Sequence, residues 1–192
     1  MTSSRWKVFF LGAGLLLAAA PGYADNWKAE GHYQVKDGLV KDPKTGLMWM
    51  RCSMGQKWDG TTCQGSAARY SWDKAMEVTE GFEFAGHKDW RVPTHEELKS
   101  LVNCSGGLIN RLDKAHSQCD GEYDTPTIFH AAFPETPANW FWSSSPQYED
   151  WFGEFPFTYL GNFSWVVNFS SGLDVPSHRD DGGHLRLVRN GK

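Results

Sequence analysis

Twelve of the chain's aromatic residues fall within thirty consecutive positions, Trp140 to Phe169, out of 10 Trp, 12 Phe and 6 Tyr in 192 residues. That crowding constrains the fold more than any other feature. Gly153, Gly161, Pro146 and Pro156 interrupt the stretch, so no long helix or strand can run through it. A hairpin cannot bury so many rings by itself. Some must cap a core, and the rest must face solvent, where exposed apolar surface marks an interaction site. Trp142, Trp165 and Phe169 are expected to pack inward. Tyr148, Trp151, Phe152 and Tyr159 are the candidate ligand-binding rings, since amphipathic rings with few rotatable bonds lose little entropy on binding.

The beginning of the chain reads as an export signal. Arg5 and Lys7 precede the apolar run Val8–Ala20, and Gly22-Tyr23-Ala24 supplies the small residues of a cleavage site, placed after Ala24. Thirteen apolar residues are too few to span a bilayer, which needs about 20. The expected location is therefore periplasmic or secreted, with no membrane span. Removing Arg5 and Lys7 leaves 17 basic against 23 acidic residues, net −6. A chain of this charge has no electrostatic case for binding nucleic acid. Residues 25–36 read as a polar leader and 37–192 as one domain.

All four cysteines, Cys52, Cys63, Cys104 and Cys119, lie beyond the signal, and an even count in an exported chain argues for disulfides. Three pairings are possible. Cys52–Cys63 and Cys104–Cys119 are favoured because each would clasp a polar, Gly-rich loop with no core of its own. The spacings contain no Cys-x-x-Cys, which weakens a zinc reading.

Local patterns are legible elsewhere. Leu39–Lys41 and Leu47–Arg51 read as a hairpin around Asp42-Pro43-Lys44-Thr45-Gly46. Ser71 suits the cap of a helix carrying Trp72, Ala75 and Met76. Thr94 and Glu97 form a capping box for a second helix, with Leu98, Leu101 and Val102 facing inward. Arg91 is expected to tie the strand–helix corner, with Glu97 as a partner. Arg186 and Arg189, alternating with Leu185 and Leu187, are expected to be solvated or ion-paired. Trp140–Ser144, Ser164–Phe169 and Leu185–Arg189 read as late strands. The whole implies an α+β domain.

Four motifs then stand in order. Asp42-x-x-Thr45-Gly46-Leu47-x-Trp49, Trp90-Arg91-Val92-Pro93-Thr94 with Glu97-Leu98, Trp142-Ser143-Ser144-Ser145, and Leu185-Arg186-Leu187-Val188-Arg189 together resemble the Lcl C-terminal domain family of exported bacterial proteins. The similarity runs from about Asp37 to Arg189. The resemblance implies a C-type-lectin-like fold related to formylglycine-generating enzymes: two helices, short antiparallel strands and long loops forming a ligand face. It also implies structural roles for Trp49, Trp90, Arg91, Glu97, Trp142 and Arg189. The family's named member resembles a binder of sulfated glycans. The trimerising collagen-like stalk of that adhesin has no counterpart in this sequence.

Remaining clusters carry little chemistry. Ser177 to His184 holds two His and two Asp, an incomplete metal set; a solvated loop beside the aromatic face is the better reading, with His178, Arg179 and Asp180 hydrogen-bonding a polar ligand. Asp113, Asp120, Glu122 and Asp124 do not match an EF-hand, and no Glu-Pro-Asn or Gln-Pro-Asp triplet is present. No Ser/His/Asp or Cys/His set is legible, and no cofactor or metal is implied. The expected function is an exported, non-catalytic binding module for a glycan or an envelope or surface protein. The alternatives are a structural subunit of an envelope assembly and, less favoured, a formylglycine-generating-type enzyme. The oligomeric state is left open.

Overall fold

The computed structural model describes residues 26–110, 116–147 and 162–191. Its centre is the expected hairpin: β3 (Leu39–Asp42) pairs antiparallel with β4 (Leu47–Met50). Gly46, at φ 72°, supplies the left-handed residue of the turn. Asp42 steadies the turn by accepting from Lys44 N at 2.9 Å and Thr45 Oγ1 at 2.9 Å. On the far side of β4 lies β12 (Val188–Asn190), which brings the end of the chain against this early hairpin. Two further strands, β1 (Lys28–Glu30) and β2 (Tyr33–Lys36), complete a five-stranded antiparallel sheet in the order β1-β2-β3-β4-β12. Residues 28–36, read as a polar leader, thus carry paired strands, and Tyr33 and Val35 enter the core by alternation.

Every residue of β4 is buried, its two faces contributing to two core clusters. Leu47 and Trp49 join one cluster with Leu98, Leu101, Phe133, Phe141 and Phe169. Met48 and Met50 join the other with Trp90, Trp142, Leu185 and Leu187. Trp49 and Trp142, expected as structural residues, are 0% and 1% exposed. A second sheet, β11-β10-β9, consists of β9 (Trp140–Pro146), β10 (Phe163–Asn168) and β11 (Leu173–His178).

The α+β, C-type-lectin-like architecture expected from the sequence is not the one found. Among the described residues strands hold 37% and helices 8%. The helices are α1 (Trp72–Glu77) and α2 (His95–Lys99), six and five residues long. Segments expected as long loops are instead stitched into small antiparallel ribbons: β5 (Lys57–Trp58) with β6 (Cys63–Gln64), and β7 (Leu108–Asn110) with β8 (Ser117–Cys119). Each ribbon contains a disulfide cysteine, Cys63 or Cys119, so the staple and the strand pairing reinforce each other. Both favoured disulfides form, Cys52–Cys63 and Cys104–Cys119, and no described cysteine is free.

The strand–helix corner is built as expected. Thr94 accepts from Glu97 N while Glu97 accepts from Thr94 N, a complete capping box. Arg91 meets Glu97 through two bonds of 2.6 Å. These bonds, the largest effect, hold the Glu97 carboxyl below its ordinary value. Arg189 donates to Asp89 at 2.8 Å, an ion pair. Arg186 departs from expectation. It is fully buried and bonds only neutral acceptors: Met50 O at 2.9 Å, Arg51 O, Ser53 Oγ at 3.2 Å and Thr136 Oγ1 at 2.7 Å. Leu185, Arg186 and Leu187 precede β12, and all three are at 0% exposure, so the polar face assumed for this stretch does not exist.

Candidate functional site

Of the seven expected ligand-binding residues, Tyr148, Trp151, Phe152 and Tyr159 lie outside the described residues. His178, Arg179 and Asp180 lie at the end of β11. Phe163 pairs with His178 across the sheet, their rings edge-on at 5.3 Å, and Gln147 N donates to Phe163 O at 3.1 Å. The flanks of residues 148–161 and the His178–Asp181 turn therefore share one end of the three-stranded sheet.

The turn is rigid for a particular reason. Asp181 accepts from Ser177 Oγ at 2.7 Å and from His178 N at 3.1 Å, closing it locally. The Arg179 guanidinium lies 3.9 Å over the Trp72 ring, and its Nε donates to Ser164 Oγ at 3.0 Å. Trp72 in turn donates from Nε1 to Ser143 O at 2.9 Å. Arg179 thus locks α1 onto β10, while Asp180 stays exposed beside His178. His184 is separated from this group: it is buried, with Nδ1 2.9 Å from Ala68 O, and burial pushes its pKa down. The two His and two Asp are not gathered into one ligand set, and the described residues hold no cluster of three potential metal ligands.

Toward the opposite end of β11, Asp174 joins three elements. Its carboxylate lies 2.8 Å from His95 Nε2, accepts from Lys99 Nζ, and accepts from Ser117 N at 2.9 Å. Burial raises its pKa, but the bonds from His95, Lys99 and Ser117 outweigh that and hold the carboxyl well below the usual range. Trp165 stacks on His95 at 4.4 Å and is only half-buried, rather than packed in the core as expected.

A second feature was not anticipated. In the β3–β4 pair, Leu39 faces Met50 and Lys41 faces Met48. By the two-residue period of strands these four side chains share one face, and Val40 and Trp49 take the other. That face floors an open cleft of about 1160 Å³. Met54 extends the floor, and Trp27, Trp58 and Phe84 line it as well. The Cys52–Cys63 staple holds the β5–β6 ribbon, and with it Trp58, at the end of β4. Arg51 stacks on Trp58 at 4.0 Å. Phe84 is seated by Trp90, which donates to its carbonyl at 3.0 Å, and by Gly38, where a β-carbon would stand 2.8 Å from Phe84 Cζ. Lys36, Lys41 and Lys57 add positive charge to the lining, against Asp37 and Glu83. The overlooked signal was the clustering of Met48, Met50 and Met54 within seven residues, in a chain with five methionines including Met1.

The chain matches the family model described as the Lcl C-terminal domain over residues 38–189. It belongs to the Lcl C-terminal domain family. No curated protein matches it. In this Lcl C-terminal domain the four motifs serve the framework. Trp49 and Trp142 fill the two core clusters, Arg91 and Glu97 brace α2, and Arg186 and Arg189 clamp the β4–β12 seam. The three methionines and the Arg179–Trp72 stack lie on that framework rather than within the motifs, apart from Met48.

Proposed function

We propose that this domain is an exported, non-catalytic binding module for a glycan or an envelope or surface protein. The observation that carries the reading is the open cleft, whose methionine and aromatic walls are rimmed by lysines. Thioether side chains adapt to varied apolar shapes, so a floor of three methionines suits recognition of a surface. The late aromatic segment, with Tyr148, Trp151, Phe152 and Tyr159, is the second contact region, together with His178, Arg179 and Asp180. Its support is the placement of Gln147, Asn162 and the turn at one sheet end, where Arg179 N donates to Asn162 O at 2.7 Å.

The test is binding of the secreted form to arrayed glycans and envelope proteins, with two variants in parallel. Trp27→Ala with Trp58→Ala strips the cleft walls; Trp151→Ala with Tyr159→Ala strips the late segment. The reading expects a saturable ligand whose binding falls in at least one variant. A ligand bound equally by wild type and both variants contradicts it.

A further inference from the structure

Resting on the reading of the domain as a binding module, we infer that the cleft's occupant is an acidic segment of a partner protein that carries large apolar side chains.

Shape, wall chemistry and charge each narrow the choice. The cleft, at about 1160 Å³, exceeds the roughly 300–1,000 Å³ of small-molecule sites. It has room for several side chains. Met48, Met50 and Met54, only 5%, 6% and 8% exposed, lie at its floor, and the half-buried Trp27, Trp58 and Phe84 give the larger contact, with few polar acceptors. A sugar face needs fixed polar partners for its hydroxyls, and this floor has few. Aromatic and branched aliphatic side chains fit it without that demand.

The charge around the floor runs against that of the whole chain. Acidic residues outnumber basic ones 23 to 19. At the cleft, Lys41 and Lys57 stand with Asp37 and Glu83, and Glu83 is answered by Lys88 at 3.4 Å. Lys41 also lies 4.2 Å from the Trp27 ring, so a cation and an apolar wall are presented as one unit. A ligand alternating carboxylates with apolar groups meets both. Carboxylates at a lysine rim steer association and set register, while the buried apolar side chains supply affinity.

Titration calorimetry of the secreted form tests this, using a synthetic dodecapeptide that alternates Glu with Phe and Leu. The expected result is saturable binding that weakens about tenfold or more in Lys41→Glu with Lys57→Glu, falls in Trp58→Ala, and is unchanged in Leu108→Ala with Ile109→Ala, two exposed residues outside the cleft. All variants are first matched to wild type in thermal unfolding, since Lys41, Lys57 and Trp58 are at least partly exposed. Equal binding of a peptide with Lys in place of Glu overturns the proposal. So does binding of a sulfated oligosaccharide or of phosphatidylglycerol vesicles, lost on lysine reversal, when the acidic peptide does not bind; that outcome leaves the module reading standing. A chain that binds neither these probes nor any arrayed glycan or envelope protein counts against both.

Discussion

Replacing Asp174 with Asn should be among the most damaging conservative changes in the molecule. Asp174 and Lys99 have side chains only 5% and 11% exposed, and their contact links β11 to α2. Ser117, on β8, is held by the same carboxylate. Asn keeps the shape and one acceptor for Ser117 N but removes the charge, leaving the Lys99 ammonium buried without its counter-ion. Breaking a buried pair from one side costs about 3–5 kcal/mol. Lys99 retains Ser117 O at 3.1 Å and Gly172 O at 2.9 Å, which places the expected loss near the lower end, about 3 kcal/mol. Lys99→Met in the same chain removes the stranded charge, so the double variant should lose less than the sum of the singles, with a coupling of about 1–3 kcal/mol. Urea unfolding followed by tryptophan fluorescence, with disulfides intact, reads both quantities. The pH dependence carries a sign. Asp174's folded pKa lies below its ordinary value of 3.8, so its contribution is present above that pH and is lost as pH falls below it. A loss under about 1 kcal/mol for Asp174→Asn, or strictly additive singles, would refute this account of the network.

Other outcomes follow from the same geometry. Glu97→Gln removes the charge and the bond from Arg91 Nη2 while leaving one oxygen for Thr94 N and Arg91 Nη1; because Arg91 is 40% exposed, the loss should be only about 1 kcal/mol. That contribution should vanish in wild type as pH falls below Glu97's ordinary value of 4.5, visible as convergence of the two unfolding curves in acid. Gly183→Ala would set a β-carbon 2.8 Å from Trp142 Cδ1 and Nε1, so a drop of about 1–3 kcal/mol is expected in thermal unfolding. Cys52→Ser with Cys63→Ser should cost about 3 kcal/mol in denaturant unfolding. It should also free the β5–β6 ribbon, quenching the protection of Trp58 against acrylamide.

What the sequence disclosed were features encoded by neighbours. The Asp42–Gly46 turn, the Thr94–Glu97 capping box, the Arg91–Glu97 pair and both disulfides each depend on residues within about fifteen positions of one another. Features encoded across the chain stayed hidden. Arg186 looks like the polar position of an alternating strand until Met50, Ser53 and Thr136 arrive to receive it. Strand β11 carries Asp174, Pro176 and Ser177, a poor strand composition, and forms because it is an edge strand, where proline's missing N–H has no ladder partner to disappoint. The α+β expectation failed because short helices and stapled loops share a sequence signature, and strand pairing between distant segments decided the balance. The cleft was illegible for a similar reason. Its floor comes from β3 and β4, but Trp27, Trp58 and Phe84 come from three other segments.

The cleft can be observed directly through its methionines. Apart from Met1 the chain has four, Met48, Met50, Met54 and Met76, and of these the first three line the cleft. Methyl-¹³C spectra of the labelled domain, recorded during titration with the acidic aromatic peptide, should show the signals of Met48, Met50 and Met54 shifting together while Met76 stays fixed. Saturable binding that leaves those three methyls unmoved would contradict the assignment of the cleft as the binding site.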